Sequence, residues 1–598
     1  MKKLFLCGAL CLLLLFVSHA MGQGHSSEIQ ISIDPDDQGW IQCAYDLNND
    51  EYLVVWEDYR VDTQGDIYGQ FVDGDGTLIN SNFVICGTAG AQYWPRLDFE
   101  PETGRFLVVF EDYRVFGTTG SDFGEVRGIF VQRNGTNVDF PDAPTSEADH
   151  SFVIRGNLQS KIYAPSVAFN FTDFTYLVVW GDSRNNQNNP YIGYDVYGQR
   201  ISMFGELLSP PTPADPLVNF PIFDNPDVYQ SIPDVSYSHI INEWLVVCGT
   251  SEGEIRGQRV NNLGQLISMD GTTILTKQTN SATVNYGFLI GTGFYNGPDC
   301  LQARCAFNTE FSWSLLKNAA IDWCECEVIW KGNIEMMGDN DLYGQRIGFF
   351  EENQVIAAKY VDVLGDDTSP NLSRHTICDA PDWVGPADLA YGAYDNEFLV
   401  GWGDEREGRS DQDLYCQRLW VNSTTQDMIW LADDRVNTVA SDVNIPVATT
   451  TNYEGSLLGV AHSLTQNEFF MAFTFEDISQ SREGDVYGYR FFGTPTGVKE
   501  TKGKIPTNFA VEKNYPNPFN PETKIHFAIP KVGRVSITIY DLIGRRIQSL
   551  IDENYPVGEH AVNWHGKDYS GNNVASGIYI YEVQFDEKVR HNKMTLIR

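Results

Sequence analysis

The stretch Tyr52 to Phe71, YLVVWEDYRVDTQGDIYGQF, returns in altered form along most of the chain, and this recurrence constrains the fold more than any other feature. An aromatic-Leu-Val-Val-Trp strand, or a close variant, stands at Tyr52 to Trp56, Phe106 to Phe110, Tyr176 to Trp180, Trp244 to Cys248, Cys326 to Trp330, Phe398 to Trp402 and Phe469 to Phe473. A D-I-Y-G-Q-R strand follows each one, opening at Asp66, Glu125, Asp195, Glu254, Asp341, Asp413 and Asp485. From Tyr68 to Tyr487 is 419 residues over six steps, about 70 per unit. Each unit adds a strand of small and apolar residues before this pair and one resembling Asn82-Phe83-Val84-Ile85 after it.

The aromatic strand is apolar on both faces, since Tyr52, Val54 and Trp56 alternate with Leu53 and Val55. A strand with no wet face has to be covered on both sides. Four short strands per unit, tight turns such as Asp73-Gly74-Asp75-Gly76 and no long helical periodicity predict an all-β fold, with seven sheets stacked radially as a seven-bladed β-propeller over 28–491. A linear stack would need polar end caps, and none is visible. The last unit lacks a fourth strand, whereas Glu28 to Ile33 is an orphan strand at the other end, so the N-terminal segment is expected to complete the last sheet. The order Pro95 to Phe99, then Leu107 to Arg114, with Asp66 to Tyr68 as the third element, resembles the propeller repeats of the TolB type. That resemblance implies a fold rather than an activity.

Charge and leader point outside the cell. Met1-Lys2-Lys3, an apolar run from Leu4 to Val17 and small residues near Ala20 and Gly22 read as a secretory signal peptide over 1–22; the run falls short of the ~20 residues a spanning helix needs, so no transmembrane segment is expected in the mature chain. Residues 28–491 hold 25 Lys/Arg against 69 Asp/Glu, while 514–598 hold ten against nine. Such an acidic surface repels nucleic acid, and it suits a solvated exterior with basic or cationic partners. Nine cysteines remain after the leader, an odd number that excludes a full disulfide framework. Cys300, Cys305, Cys324 and Cys326 cluster in the fifth unit with spacing unlike a zinc ribbon, which leaves one cross-strand disulfide or buried thiols.

Residues 492–513 read as a linker, and 514–598 as a small Ig-like β-sandwich with strands at Lys524 to Ile529, Val535 to Tyr540, Gly558 to Trp564 and Gly577 to Phe585. Asn514-Tyr515-Pro516-Asn517-Pro518-Phe519-Asn520-Pro521, the turn at Gly544, Gly577 with Tyr579, and the terminal segment from Lys593 closely resemble the type A C-terminal sorting domain of the type IX secretion system. The resemblance implies passage through the periplasm and across the outer membrane, partners in the type IX translocon and sorting machinery, and a secreted or surface-attached product.

Candidate sites in the repeats are few. Four units carry a turn with Asp58 and Arg60, Asp112 and Arg114, Asp182 and Arg184, or Asp404 and Arg406. A ring of such pairs could hold a charged ligand, but a repeated position, with Arg60 in reach of Asp66, is expected to stabilise the turn. Gly249-Thr250-Ser251-Glu252-Gly253 matches the nucleophile-elbow pattern but sits in a β-turn. Asp46 to Asp50 resembles the start of a calcium loop, yet Glu51 replaces the required Gly and a hairpin explains it; calcium is the alternative, and no cofactor is otherwise expected. No catalytic pair can be assigned. The insertion at Phe311 to Ala320 and the segment Cys378 to Pro386 with Trp383 mark the fifth and sixth units as places for a binding site. The sequence favours an extracellular protein that binds a glycan or protein partner without catalysis; a hydrolase with its site in the channel and a structural surface protein are the alternatives.

Overall fold

The computed structural model describes residues 26–492 and 509–597, apart from 27, 35, 62–63, 115–122, 134–148, 157–159, 186–193, 209–218, 225–227, 229, 273, 276–286, 293–302, 308–322, 333–340, 353–354, 362–366, 369–373, 380–383, 393–395, 407–412, 422–427, 432–436, 439–443, 449–453, 478–481, 512, 515–516, 530–532, 542, 556–557, 570–571 and 586–587. The leader, most of the linker, the Phe311 to Ala320 insertion, Cys300, Trp383, Tyr515 and Pro516 therefore lie outside the described residues.

The described secondary structure is all β, and between Ile29 and Phe492 it forms seven antiparallel sheets, one per repeat. The first sheet runs Gln38–Asp46, Glu51–Asp58, Asp66–Asp73, Leu78–Cys86, each strand bonded to the next. The aromatic strand is second in every sheet. It is buried along its full length at Glu51–Asp58, Thr175–Asp182 and Glu397–Asp404, as a strand covered on both faces must be. Each large apolar side chain sealed there contributes roughly 1.5–3 kcal/mol.

First strands pack one beside the next. Gln38–Asp46 lies against Gln92–Glu100, that against Ile162–Asn170, and so on through Gln230–Ser238, Ala303–Phe307, Val384–Gly392 and Glu454–Ser463, which returns to Gln38–Asp46. The sheets thus follow one another around a shared axis lined by their first strands. The seventh sheet takes its outer strand from the far end of the chain: Ile29–Ser32 pairs antiparallel with Arg482–Phe492, Ile29 opposite Gly488. The sequence expectation for the orphan N-terminal strand is met.

The fourth strand departs from expectation in the third to sixth units, where it is divided. In the third, Asp195–Ser202 pairs with Leu207–Leu208 at one end and with Phe220–Phe223 at the other. In the first unit a single strand, Leu78–Cys86, spans both positions, with a register shift between Gly69 and Phe71. The added length falls within the fourth strand, and the first three strands of these sheets keep their pairing.

The described cysteines are all buried free thiols. Cys305, Cys324 and Cys326 share one apolar cluster with Trp330 and Phe349, so of the two readings offered by the sequence, buried thiols describe these three.

Residues 510–596 form two further sheets. Ala510–Val511, Thr523–Ile529 and Gly558–Trp564 make one; Arg546–Tyr555, Gly533–Asp541, Gly577–Phe585 and Lys588–Leu596 make the other, in that order. Ile525, Phe527 and Ile529 share a core with Ile537, Ile539, Tyr581 and Val583, so the two sheets bury a common interior. Three strands, Ala510–Val511, Arg546–Tyr555 and Lys588–Leu596, are additional to the four expected from the sequence, and the first of them, with Phe509 in the same core, corrects the expected linker 492–513 by bringing its last residues into the module.

Candidate functional site

The repeated Asp and Arg residues form a lock between strands. Asp58 accepts hydrogen bonds from the Trp56 indole N–H (2.8 Å), from the Arg60 backbone N–H (3.0 Å) and from the Arg60 guanidinium (2.7 Å). Asp182 receives Trp180 at 3.2 Å and the Arg184 amide at 2.9 Å, and Asp404 receives Trp402 at 3.0 Å and the Arg406 amide at 2.7 Å. The arginine then lies over the tyrosine of the next strand: Arg60 over Tyr68 at 4.2 Å, Arg184 over Tyr197 at 3.9 Å, Arg406 over Tyr415 at 3.9 Å. In the second unit that tyrosine is replaced by Arg127, and Arg114 instead bridges Asp112 at 2.6 Å and Asp149 at 2.7 Å. The expected partner of Arg60 is corrected: its carboxylates are Asp58 and Asp34, both at 2.5 Å, rather than Asp66. The turn folds the guanidinium back onto its own i−2 residue, which a strand-opening Asp cannot match for proximity.

Gly249 and Thr250 end the strand Glu243–Thr250, and Gly253 at φ +73° donates its N–H to Thr250 O at 3.0 Å, so this segment is a hairpin turn. Asp46 caps another hairpin, accepting the amides of Asn48 at 2.8 Å and Asn49 at 3.2 Å, and burial raises its pKa to about 6. Asp50 is bound across to the seventh sheet by Ser463 Oγ at 3.2 Å and Gln466 Nε2 at 2.5 Å. Among the described residues no group of three or more His, Cys, Asp or Glu is arranged to hold a metal ion.

The first strands carry a feature that sequence reasoning missed. Six of them are bulged near their start, with register shifts between Gly39 and Gln42, Tyr93 and Arg96, Tyr163 and Ser166, Ser231 and Asp234, Val384 and Ala387, and Glu454 and Leu458. Trp40, Trp94, Ala164 and Ile232 sit in the bulges at positive φ, a conformation these side chains seldom adopt. The bulge re-aims its side chain, and in the first two units that side chain is tryptophan. Trp40 and Trp94, both half-buried, lie with ring centroids 3.6 Å apart and planes tilted by 30°, and Trp94 also meets Tyr163 at 5.0 Å. Tyr163 in turn lies 5.5 Å from Tyr194, while Tyr93 lies 5.9 Å from Tyr113. The result is an aromatic belt across the first three units, at the end where the first strands begin. The pairs Gln38-Gly39-Trp40 and Gln92-Tyr93-Trp94 were the available sequence signal.

Two buried acids brace this belt from beneath. Glu57 accepts the Trp94 amide at 2.6 Å, and Glu111 accepts the Ala164 amide at 2.7 Å, so each ties its sheet to the bulge of the next. Tyr59 and Tyr113 donate their hydroxyls to the second oxygens at 3.0 and 2.8 Å. Burial is the main cause that pushes Glu57 up to about 8 and Glu111 up to about 7, and the accepted hydrogen bonds only partly oppose it.

Two residues beyond each bulge, one position per unit faces the axis. Gln42, Arg96, Ser166, Asp234, Arg304, Asp388 and Gly459 all pair with the fourth residue of the aromatic motif, which makes them structurally equivalent. Their interactions cross between units. Ser166 Oγ donates to Asp234 at 2.8 Å, and Gln42 donates to Leu458 O at 3.2 Å. Arg304 approaches Asp388 at 3.7 Å, and Gly459 lies so near the first sheet that a Cβ would stand 2.8 Å from Gln42 Cα. Desolvation and the facing Arg304 charge lower Arg96 to about 10, while burial raises Asp388.

At the C-terminal module, the residues that carry the sorting-domain resemblance clamp its start to its last strand. Asn514 donates to Thr523 Oγ1 at 2.9 Å, Asn517 accepts the Thr595 amide at 2.9 Å, and the Phe519 amide and carbonyl bond Thr595 and Ile597, each at 2.9 Å. Phe519 is buried against Trp564, and Tyr579, buried beside the same indole, donates its hydroxyl to Ala575 O at 2.8 Å. Pro518, Asn520, Pro521 and Lys593 are exposed; Gly544 turns Asp541 into Arg545 at φ +80°, and Gly577 opens its strand opposite Leu596.

The family of FlgD Ig-like domains matches residues 520–588, inside this module. No curated protein matches the chain. Among solved structures, it is similar to a protein of unknown function from Dyadobacter fermentans (8% identity, TM-score 0.38, covering 78% of this chain and 98% of that one). It is also similar to an α-L-arabinanase of Penicillium chrysogenum complexed with arabinobiose (10%, 0.38, 78% and 98%) and to a neuraminidase-like protein of bat influenza H18N11 (9%, 0.33, 78% and 90%).

Proposed function

We propose that residues 28–491 form a seven-bladed β-propeller that binds a glycan at its aromatic mouth without catalysis. On this reading the propeller is joined by a linker ending before Phe509 to an Ig-like module that serves export to the cell surface or medium by the type IX secretion system. The observation that carries the binding reading is the closely packed, half-buried Trp40 and Trp94 pair held on strained bulges beside the axis. Flat aromatic faces at low conformational cost match the apolar faces of pyranose rings, and strain retained in a fold is a mark of function. Glu57 and Glu111 do not supply an acid and base to a substrate here, because each spends its carboxyl oxygens on a backbone amide and a tyrosine. The Asn517 and Phe519 clamp on the last strand supports a module whose signature residues and C-terminal segment act as one recognition unit.

The test is a glycan array followed by tryptophan fluorescence titration. An oligosaccharide that quenches the wild-type protein should lose roughly tenfold or more in affinity in Trp40→Ala and Trp94→Ala, as expected on removing an aromatic face that packs on the sugar. Unchanged affinity in both variants refutes the mouth as the site, and turnover of any array member refutes the non-catalytic reading.

A further inference from the structure

The axial ring leaves a buried guanidinium short of hydrogen-bond acceptors. It holds two arginines and two aspartates, but the aspartates are committed elsewhere. Asp234 accepts Ser166 Oγ at 2.8 Å and the Cys305 amide at 3.0 Å, and Asp388 accepts the Val460 amide at 3.0 Å. Arg304 is engaged more loosely, by the Asp388 charge without a hydrogen bond. The Arg304 side chain is 7% exposed, its nearest carboxylate oxygen is 3.7 Å away, and its Nε has no hydrogen-bond partner. One of its terminal nitrogens reaches only the neighbouring Ala303 carbonyl, at 3.3 Å. Arg96 is disfavoured first by desolvation and then by the Arg304 charge, which Asp388 and Asp234 only partly offset.

A guanidinium presents five N–H donors in a planar fork, and a buried one left without acceptors carries a large desolvation cost. The group that satisfies such a fork best is a planar carboxylate, bound through two parallel hydrogen bonds. We propose that the channel receives the carboxylate of an acidic ligand between Arg96 and Arg304, so that the sugar reaching the mouth is of the uronic-acid type. The saccharide part of this inference rests on the glycan reading of the mouth; the anion part rests on the ring alone.

Calorimetric titration of the full chain with D-glucuronate, D-glucose and inorganic phosphate separates these parts. Glucuronate should bind at least about tenfold more tightly than glucose, and Arg96→Gln and Arg304→Gln should each remove that preference. Asp388→Asn keeps an acceptor for the Val460 amide while deleting the charge that competes for Arg304, and should tighten glucuronate binding several-fold. This variant serves if Arg304→Gln fails to fold. Equal binding of glucuronate and glucose, a preference that survives both arginine substitutions, weaker binding in Asp388→Asn, or binding of phosphate in place of glucuronate overturns the proposal. Loss of sugar binding in Trp40→Ala and Trp94→Ala tests the mouth separately, and a mouth that fails leaves a glucuronate preference at the arginines intact.

Discussion

Asp58 and Gln42 lie on adjacent strands of the first sheet, yet the seven units treat their two positions in opposite ways. The turn position recurs as Asp112, Asp182 and Asp404, each taking the amide and guanidinium of the arginine two residues on. The axial position holds Gln, Arg, Ser, Asp, Arg, Asp and Gly in turn. A residue that satisfies its own turn meets similar surroundings in each of the four units that carry the turn, and is repeated there. A residue facing the common axis has six different neighbours, and repetition of one charge there would be repulsive. Sameness marks the framework, and difference marks the space that could be put to use.

The distinction can be broken by substitution. Asp182→Ala should have the largest effect, about 3–5 kcal/mol in chemical denaturation, because it strands the fully buried Arg155, bonded to it at 3.0 Å, together with Arg184 and the Trp180 indole. A small loss would mean that the turns are not the framework. A second test is the pH dependence contributed by Glu57 and Glu111. Their folded pKa values, about 8 and about 7, exceed the unfolded value, so the folded state binds these protons more tightly. Their stabilising contribution is complete below the ordinary glutamate range and is lost as pH rises through 7 to 8. The double variant Glu57→Gln, Glu111→Gln should therefore melt higher than wild type at pH 9 by on the order of 1–3 kcal/mol of stability, with the difference narrowing toward pH 5. A wild-type protein that gains stability over that interval relative to the variant would reverse the assignment. Least affected should be Gln42→Ala, which removes one hydrogen bond to Leu458 O and should cost about 0.5–1.5 kcal/mol by thermal melting. A loss equal to that of Asp182→Ala would erase the contrast between turn and axis.

The repeat was readable because Tyr52 to Trp56 and its counterparts have no polar face, a pattern that burial on both sides imposes directly on sequence. The strand Arg546–Tyr555 was not, since it is an edge strand whose register with Gly533–Asp541 slips twice, and such a strand need not alternate. The insertions of the fifth and sixth units drew attention by length, whereas the aromatic belt lies on the first three. Trp40 and Trp94 escaped notice because their orientation comes from a bulge, and nothing in Trp-Ile-Gln or Trp-Pro-Arg announces an extra residue. Arg96, Asp234, Arg304 and Asp388 come from four different units, and only the strand register brings them to one level.

The pairing of Ile29–Ser32 with Arg482–Phe492 also sets the order of events during folding. Ser26 donates its amide to Arg490 O at 2.8 Å, across 464 positions of chain. Joining ends so far apart costs about 5 kcal/mol of loop entropy if the intervening chain is disordered, and far less once six sheets have already formed. The seam is therefore the last part to close. Until the seventh unit is in place, the first and last sheets keep exposed edges, so a chain cut short before Phe492 would present free strand edges to other chains, and only the complete repeat region seals them.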